Sequence, residues 1–151
     1  MAGAIIVRID GLDELRRKLN SGRVEGPIER FLDRGAIFIQ SRARAAAPVD
    51  TGRLRNSIAV DSPDNRHREI GTNVDYAPYV EFGTRPHWPP VGAVAPWARR
   101  HGMEPFMVAR AISRSGTKAQ PFMRPAATEG EAFVKSLIPL FAAEIEAAYQ
   151  E

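Results

Sequence analysis

The residues able to do chemistry are few and poorly placed for it. The three histidines, His67, His87 and His101, are never three or four positions apart, so no helix face offers a paired metal site. Four acids, Asp50, Glu69, Asp75 and Glu81, have the residue type for a metal-dependent phosphodiester cleavage. The competing reading gives each a neighbouring arginine or a helix start to cap. Ser57 has arginines nearby but no histidine to activate it. Neither a glycine-rich phosphate loop nor a G-x-S-x-G elbow occurs. Cysteine is absent, which removes disulfides, thiolate ligands and thiol catalysis together. The expectation is no enzyme: no catalytic residue, no metal and no cofactor.

A second cluster is aromatic. Trp88 and Trp97, with Tyr76, Tyr79 and Phe82, crowd the middle of the chain beside Arg85, Arg99 and Arg100. Base stacking on nucleic acid, a protein contact surface and local core all fit this pattern. Of 21 basic residues only Lys18, Lys118 and Lys135 are lysine. Arginine suits bidentate pairing with carboxylates and phosphates, yet a net charge of +3 with bases spread along the chain is weak support for nucleic-acid binding.

The elements that must position these residues follow from periodicity and punctuation. Ala4 to Ile9 reads as a strand, and Asp13 to Leu19 as a short helix with acids first and bases after. From Ile28 to Ala47 a helix is expected, with Ile28, Phe31, Leu32, Gly35, Ile39, Ala43 and Ala46 on one face. Pro27 suits its first turn and Pro48 stops it. Ile37 projects from its polar side. Asp50 or Thr51 is expected to cap a short turn holding Leu54 and Ser57. Ile58 to Val60 and Arg68 to Thr72 form a hairpin around Ser62 to Asn65. Tyr76 to Phe82 is a short helix, ended by Gly83 at positive φ, whose aromatic residues are expected to anchor it on the sheet. Val91 to Arg100 and Glu104 to Ser115 are two short helices. Pro121 to Pro125 is extended, and Pro125 opens a last helix whose apolar residues cover nearly half its circumference. Pro139 should kink or split that helix.

At 151 residues, 44% hydrophobic and 26% charged, the chain has the size and make-up of one globular domain. No apolar run approaches the ~20 residues of a membrane span, and the start lacks the pattern of a signal peptide. The fold class expected is α+β: an N-terminal amphipathic helix and a kinked C-terminal helix packed on a small, mostly antiparallel sheet. One domain over 1–151 is expected, with a variable helical insertion at about 85–119.

Three segments then resemble a known family. Ala47-Pro48-Val49-Asp50-Thr51-Gly52-Arg53-Leu54, followed by Ser57, is similar to an A-P-V-D-T-G-x-L-x-x-S signature. Tyr76-Ala77-Pro78-Tyr79-Val80-Glu81-Phe82-Gly83-Thr84 resembles Y-A-x-Y-V-E-F-G-T. Pro121-Phe122-Met123-Arg124-Pro125-Ala126 resembles P-F-x-x-P-A. The family is that of the gene-ten product of HK97-like phages, tail-completion or neck components of long-tailed bacteriophages. Arg85 to Ala119 departs from its shortest members.

The resemblance implies a structural virion protein, assembled in the host cytoplasm and resident in the tail or neck. It implies a homo-oligomer, with a ring expected, that contacts other neck or tail proteins and takes part in tail completion or head–tail joining. A ring around a channel would tolerate non-specific contact with DNA; a DNA-binding module using the central region is the alternative. No membrane partner is implied. The motif residues are expected to build the fold, and Ile37, Trp88, Trp97, Phe133, Leu137, Phe141 and Ile145 are the candidate interface.

Overall fold

A computed structural model describes residues 7–8 and 24–150. In chain order the elements are β1 (Val7–Arg8), α1 (Glu25–Ala46), α2 (Arg53–Ser57), β2 (Ala59–Asp64), β3 (His67–Gly71), α3 (Ala77–Phe82), α4 (Val91–Arg100), α5 (Pro105–Ser115) and α6 (Met123–Gln150). The expected helix at Asp13 to Leu19 lies outside the described residues, as does all of the expected first strand but Val7 and Arg8.

Helix α1 buries Ile28, Phe31, Leu32, Gly35, Ala36, Ile39 and Ala43, the stripe its 3.6-residue repeat demands. Glu25 in the first turn and Arg44 in the last complement the helix dipole. Ala47 is extended, at φ −62° and ψ 127°, as the residue before a proline must be. Helix α6 packs along α1 in the opposite direction. Phe31 meets Phe141 with ring centroids 4.6 Å apart, and Phe38 stacks on Phe133 at 4.1 Å. Val24, Ile28, Phe31 and Leu32 close one core with Leu137 and Phe141.

The sheet has the order β1-β3-β2 and both pairings are antiparallel. Its central strand β3 turns Arg68 and Ile70 inward. Ile70 enters a second core beside Ile39 and Ala43 of α1. Arg68 is buried but satisfied: Nε donates to Asp33 Oδ1 on α1 at 2.6 Å, and Nη1 donates to the carbonyls of Asp64 and His67. Burial without such partners would cost several kcal/mol.

The α+β architecture is as expected, with a long helix at each end of the described body and a small antiparallel sheet. Helix α6 runs on through Pro139, so of the two expected outcomes at that proline the split does not occur. Its start at Met123 places Pro125 in the first turn, where the missing N–H costs nothing, so the extended segment ends earlier than expected.

Candidate functional site

The buried members of the three sequence motifs lie in one place. Leu54 belongs to the first motif and Ile58 follows it, Ala77 belongs to the second, and Phe122, Met123 and Ala126 to the third; all six share the core that Ile39, Ala43 and Ala47 line. Polar members stitch the same region. Ser57 Oγ lies 2.6 Å from Thr72 Oγ1, which in turn accepts from the Val74 N–H at 3.2 Å. Pro48 and Pro121 are half-buried or nearly so at the edges of this cluster.

Glu81 is the deepest polar group of the set, 1% exposed. Its Oε2 accepts from the N–H groups of Phe122 at 2.7 Å and Met123 at 2.9 Å, and Oε1 accepts from Arg124 at 3.0 Å. The first N–H groups of a helix have no partner inside it, and a carboxylate there is favoured by both hydrogen bonding and the helix dipole. One residue of α3 therefore caps α6 from 41 positions away. The backbone completes the joint: the Gln120 N–H donates to the Val80 carbonyl at 2.8 Å, and Thr84 N–H to Thr117 O at 3.1 Å. Gly83 and Gly116 sit at φ 70° and 71°. A Cβ on Gly116 would lie 1.9 Å from the Thr84 carbonyl oxygen, and one on Gly83 2.5 Å from that of Thr117, so only glycine fits either side.

Three expectations about these residues need correction. Neither Asp50 nor Thr51 caps α2: its first boundary residue is Gly52 at φ 81°, with no side-chain cap. Asp50 instead pairs with Arg100 of α4, and Thr51 Oγ1 is 3.5 Å from the Arg53 nitrogen, too long for a strong bond. The aromatic residues of α3 do not anchor it on the sheet. Tyr79 and Phe82 are 61% and 65% exposed and Tyr76 is also exposed, while Ala77 and Glu81 point inward. The third concerns α6. Leu137 and Phe141, read as interface, are buried against α1, and Phe133, Val134 and Ile145 are partly buried on the same core. α1 covers that part of the stripe, while Ile138 and Leu140 of the same helix stay exposed, at 53% and 57%.

The acidic set is dispersed. Glu81 caps α6, Asp50 binds Arg100, and among the described residues no group of three or more His, Asp or Glu is placed to hold a metal. The hydrogen bond from Arg100 holds the Asp50 carboxyl below its ordinary value; burial opposes this, and the charges of Arg100 and His101 assist it.

Residues 13–83 match the family described as Bacteriophage HK97-gp10, putative tail-component. This stretch of the chain resembles the HK97-gp10 family. Comparison with curated proteins and with solved structures gave no match. The family match supports a structural role in a phage tail, and a place in the virion. Among the described residues no helix is long and apolar enough to cross a membrane.

The HK97-gp10 match ends at Gly83, before the α4–α5 hairpin begins. That hairpin is where the exposed apolar residues gather. Trp88 is 54% exposed, and Val91, Trp97, Met103, Phe106 and Met107 are exposed as well. Trp88 and Phe106 meet edge to face at 5.8 Å, and Trp97 stacks on His101 at 4.2 Å. Helices α4 and α5 pack on each other, and their buried residues are alanines: Ala95, Ala98 and Ala109. Ile37 is exposed on α1, away from this cluster in sequence. Reasoning from sequence singled out Trp88 and Trp97 but missed Met103, Phe106 and Met107. The amphipathic repeat of α5 was the available signal.

Charge divides the chain in the same place. Between residues 85 and 119 stand six basic residues and one acid, Glu104; elsewhere acids outnumber bases by 17 to 15.

Proposed function

We propose that the chain is a non-enzymatic structural component of a long-tailed phage that associates with itself, as a closed ring, and takes part in tail completion or head–tail joining. The reading places its assembly in the host cytoplasm and its partners among other neck and tail proteins. On this proposal the chain is one domain in which the inward-facing motif residues build the fold and the 85–119 hairpin is a variable addition. A ring needs two different surfaces per subunit, one for each neighbour.

The supporting observation is a division of labour. The polar motif residues Asp50, Ser57, Glu81 and Thr84 all point into contacts within the chain. Large apolar residues from Tyr76 to Met107 point outward instead. That suits a protein whose work is contact.

The test is mass in solution by light scattering, with negative-stain imaging. The expected result is a closed oligomer several times the 16.7 kDa chain. A strictly 16.7 kDa particle at about 100 μM, well above the Kd of ordinary stable interfaces, would sink self-assembly. A second reading, non-specific DNA contact, draws support from the basic 85–119 segment; binding to duplex DNA that weakens steeply with salt would support it.

A further inference from the structure

The α4–α5 hairpin carries an apolar groove of about 640 Å³, lined chiefly by Val94, Trp97, Met103, Met107, Val108 and Ile112. Only two charged residues, Glu104 and Lys118, reach it. Glu104 is already engaged, accepting the Phe106 N–H at 2.6 Å to cap α5. The rim is basic. Arg110 and Arg114 follow Met107 at the i+3 and i+7 positions of α5, and so share its face. Lys118 closes one end. Of the six cations between 85 and 119, only Arg100 has a carboxylate among the described residues.

We propose that this groove receives an amphipathic helix of a partner protein, apolar along one stripe and acidic on its flanks. The helices that wall it have 10 and 11 residues, about 15 Å at 1.5 Å per residue, which accepts two to three turns of a docked helix. Trp, Met and Arg are the residues such surfaces favour. Methionine adapts its shape to an irregular guest. Unpaired arginines on the rim select acidic flanks and reject basic ones. Nucleic acid fits less well, because phosphates brought to an apolar floor lose their hydration without replacement. The inference rests on the structural tail role for its partner being a protein. Its test does not depend on self-assembly, so either can fail alone.

The probe is a synthetic peptide of about 18 residues with leucine at helical spacing and glutamate on both flanks; a lysine-for-glutamate twin and a short DNA duplex are the comparisons. Both tryptophans of the chain lie in this segment, so their emission reports occupancy, with anisotropy of labelled peptide as the second readout. The acidic peptide should bind with micromolar Kd, shift tryptophan emission to the blue and ignore the twin as competitor. Met107→Glu should weaken it at least about tenfold, and Arg110→Glu with Arg114→Glu about tenfold. All three side chains are exposed, so circular dichroism should be unchanged. No acidic-peptide binding at about 100 μM, equal binding of the lysine twin, or DNA binding that the acidic peptide cannot displace would each overturn the proposal.

Discussion

In the body made by α1, α6 and the sheet, Arg30 and Arg34 share Glu144, Arg42 binds Glu129, Arg68 binds Asp33 and Lys135 binds Glu131. In the hairpin, Arg99, Arg110, Arg114 and Lys118 have no carboxylate among the described residues. The apolar residues divide less sharply, since Ile37, Ile138 and Leu140 of the body are exposed too. Leu32, Phe122 and Met123 are fully covered in the body, whereas Trp97, Phe106 and Met107 stand open in the hairpin. Exposed ion pairs stabilise by at most about 1 kcal/mol, so stability is not what the pairing mainly supplies. It cancels charge locally. The hairpin keeps both its charge and its apolar surface available. The hairpin is the part of the chain that leaves apolar surface and uncompensated positive charge open side by side.

The sharpest way to break this division is to cut the body where the motifs meet. Phe122 is wholly buried, and Phe122→Ala should cost about 3–5 kcal/mol by urea unfolding. A loss under about 1 kcal/mol would mean that the motif core is not what holds the fold. Glu81→Ala comes next. It leaves three N–H groups at the start of α6 without their acceptor, and an expected loss of about 2–3 kcal/mol follows from losing hydrogen bonds to a charged group. Hydrogen exchange should locate the damage in the first turn of α6. Smaller still is the effect at Tyr79 and Phe82. Each is more than half exposed, so alanine at either should change stability by no more than about 0.5 kcal/mol. A soluble, folded variant with weakened association is the expected result; an unfolded one would restore the anchoring role that the structure takes from them.

Elements bounded by proline and glycine were legible in the sequence. Pro27 and Pro48 bracket α1, and Pro90, Gly102, Pro105 and Gly116 set α4 and α5 almost to the residue. The class of fold followed from them. What stayed hidden was pairing across distance. Nothing in the local pattern around Tyr76 to Phe82 says that glutamate faces in and the aromatics face out, because a six-residue helix has too few turns to show a stripe. Nor can the wide apolar stripe of α6 reveal its occupant; α1 carries a matching stripe far earlier, pairing Phe38 with Phe133 and Phe31 with Phe141, and either an internal or an external partner satisfies the same periodicity. Asp50 misled for a related reason. Its place before Thr51-Gly52 suits a cap, and the arginine that claims it lies 50 residues on.

That arginine is where the two regions are joined, and the joint is sensitive to acid. Asp50 Oδ1 accepts from Arg100 Nε at 3.0 Å, and Oδ2 from Nη2, so α4 is tied to the loop after α1. The folded carboxyl titrates below its ordinary value because of this hydrogen bond first, against some opposing burial. A depressed folded value contributes attachment that is complete above the unfolded value, about 3.9 for aspartate, and is lost as pH falls through the folded one. Asp50→Asn removes the charge at every pH. At pH 7 the variant should therefore show faster amide exchange in α4 than the wild type, with the body unchanged. The difference should shrink as pH falls below about 4 and vanish once the wild-type carboxyl is protonated. The pair is exposed, so the effect on global unfolding should be the smallest of the series. If exchange in α4 matches at pH 7, the hairpin is held by the Thr84–Thr117 bridge and the Gln120–Val80 hydrogen bond without help from the ion pair, and the basic groove can reorient toward its partner without breaking one.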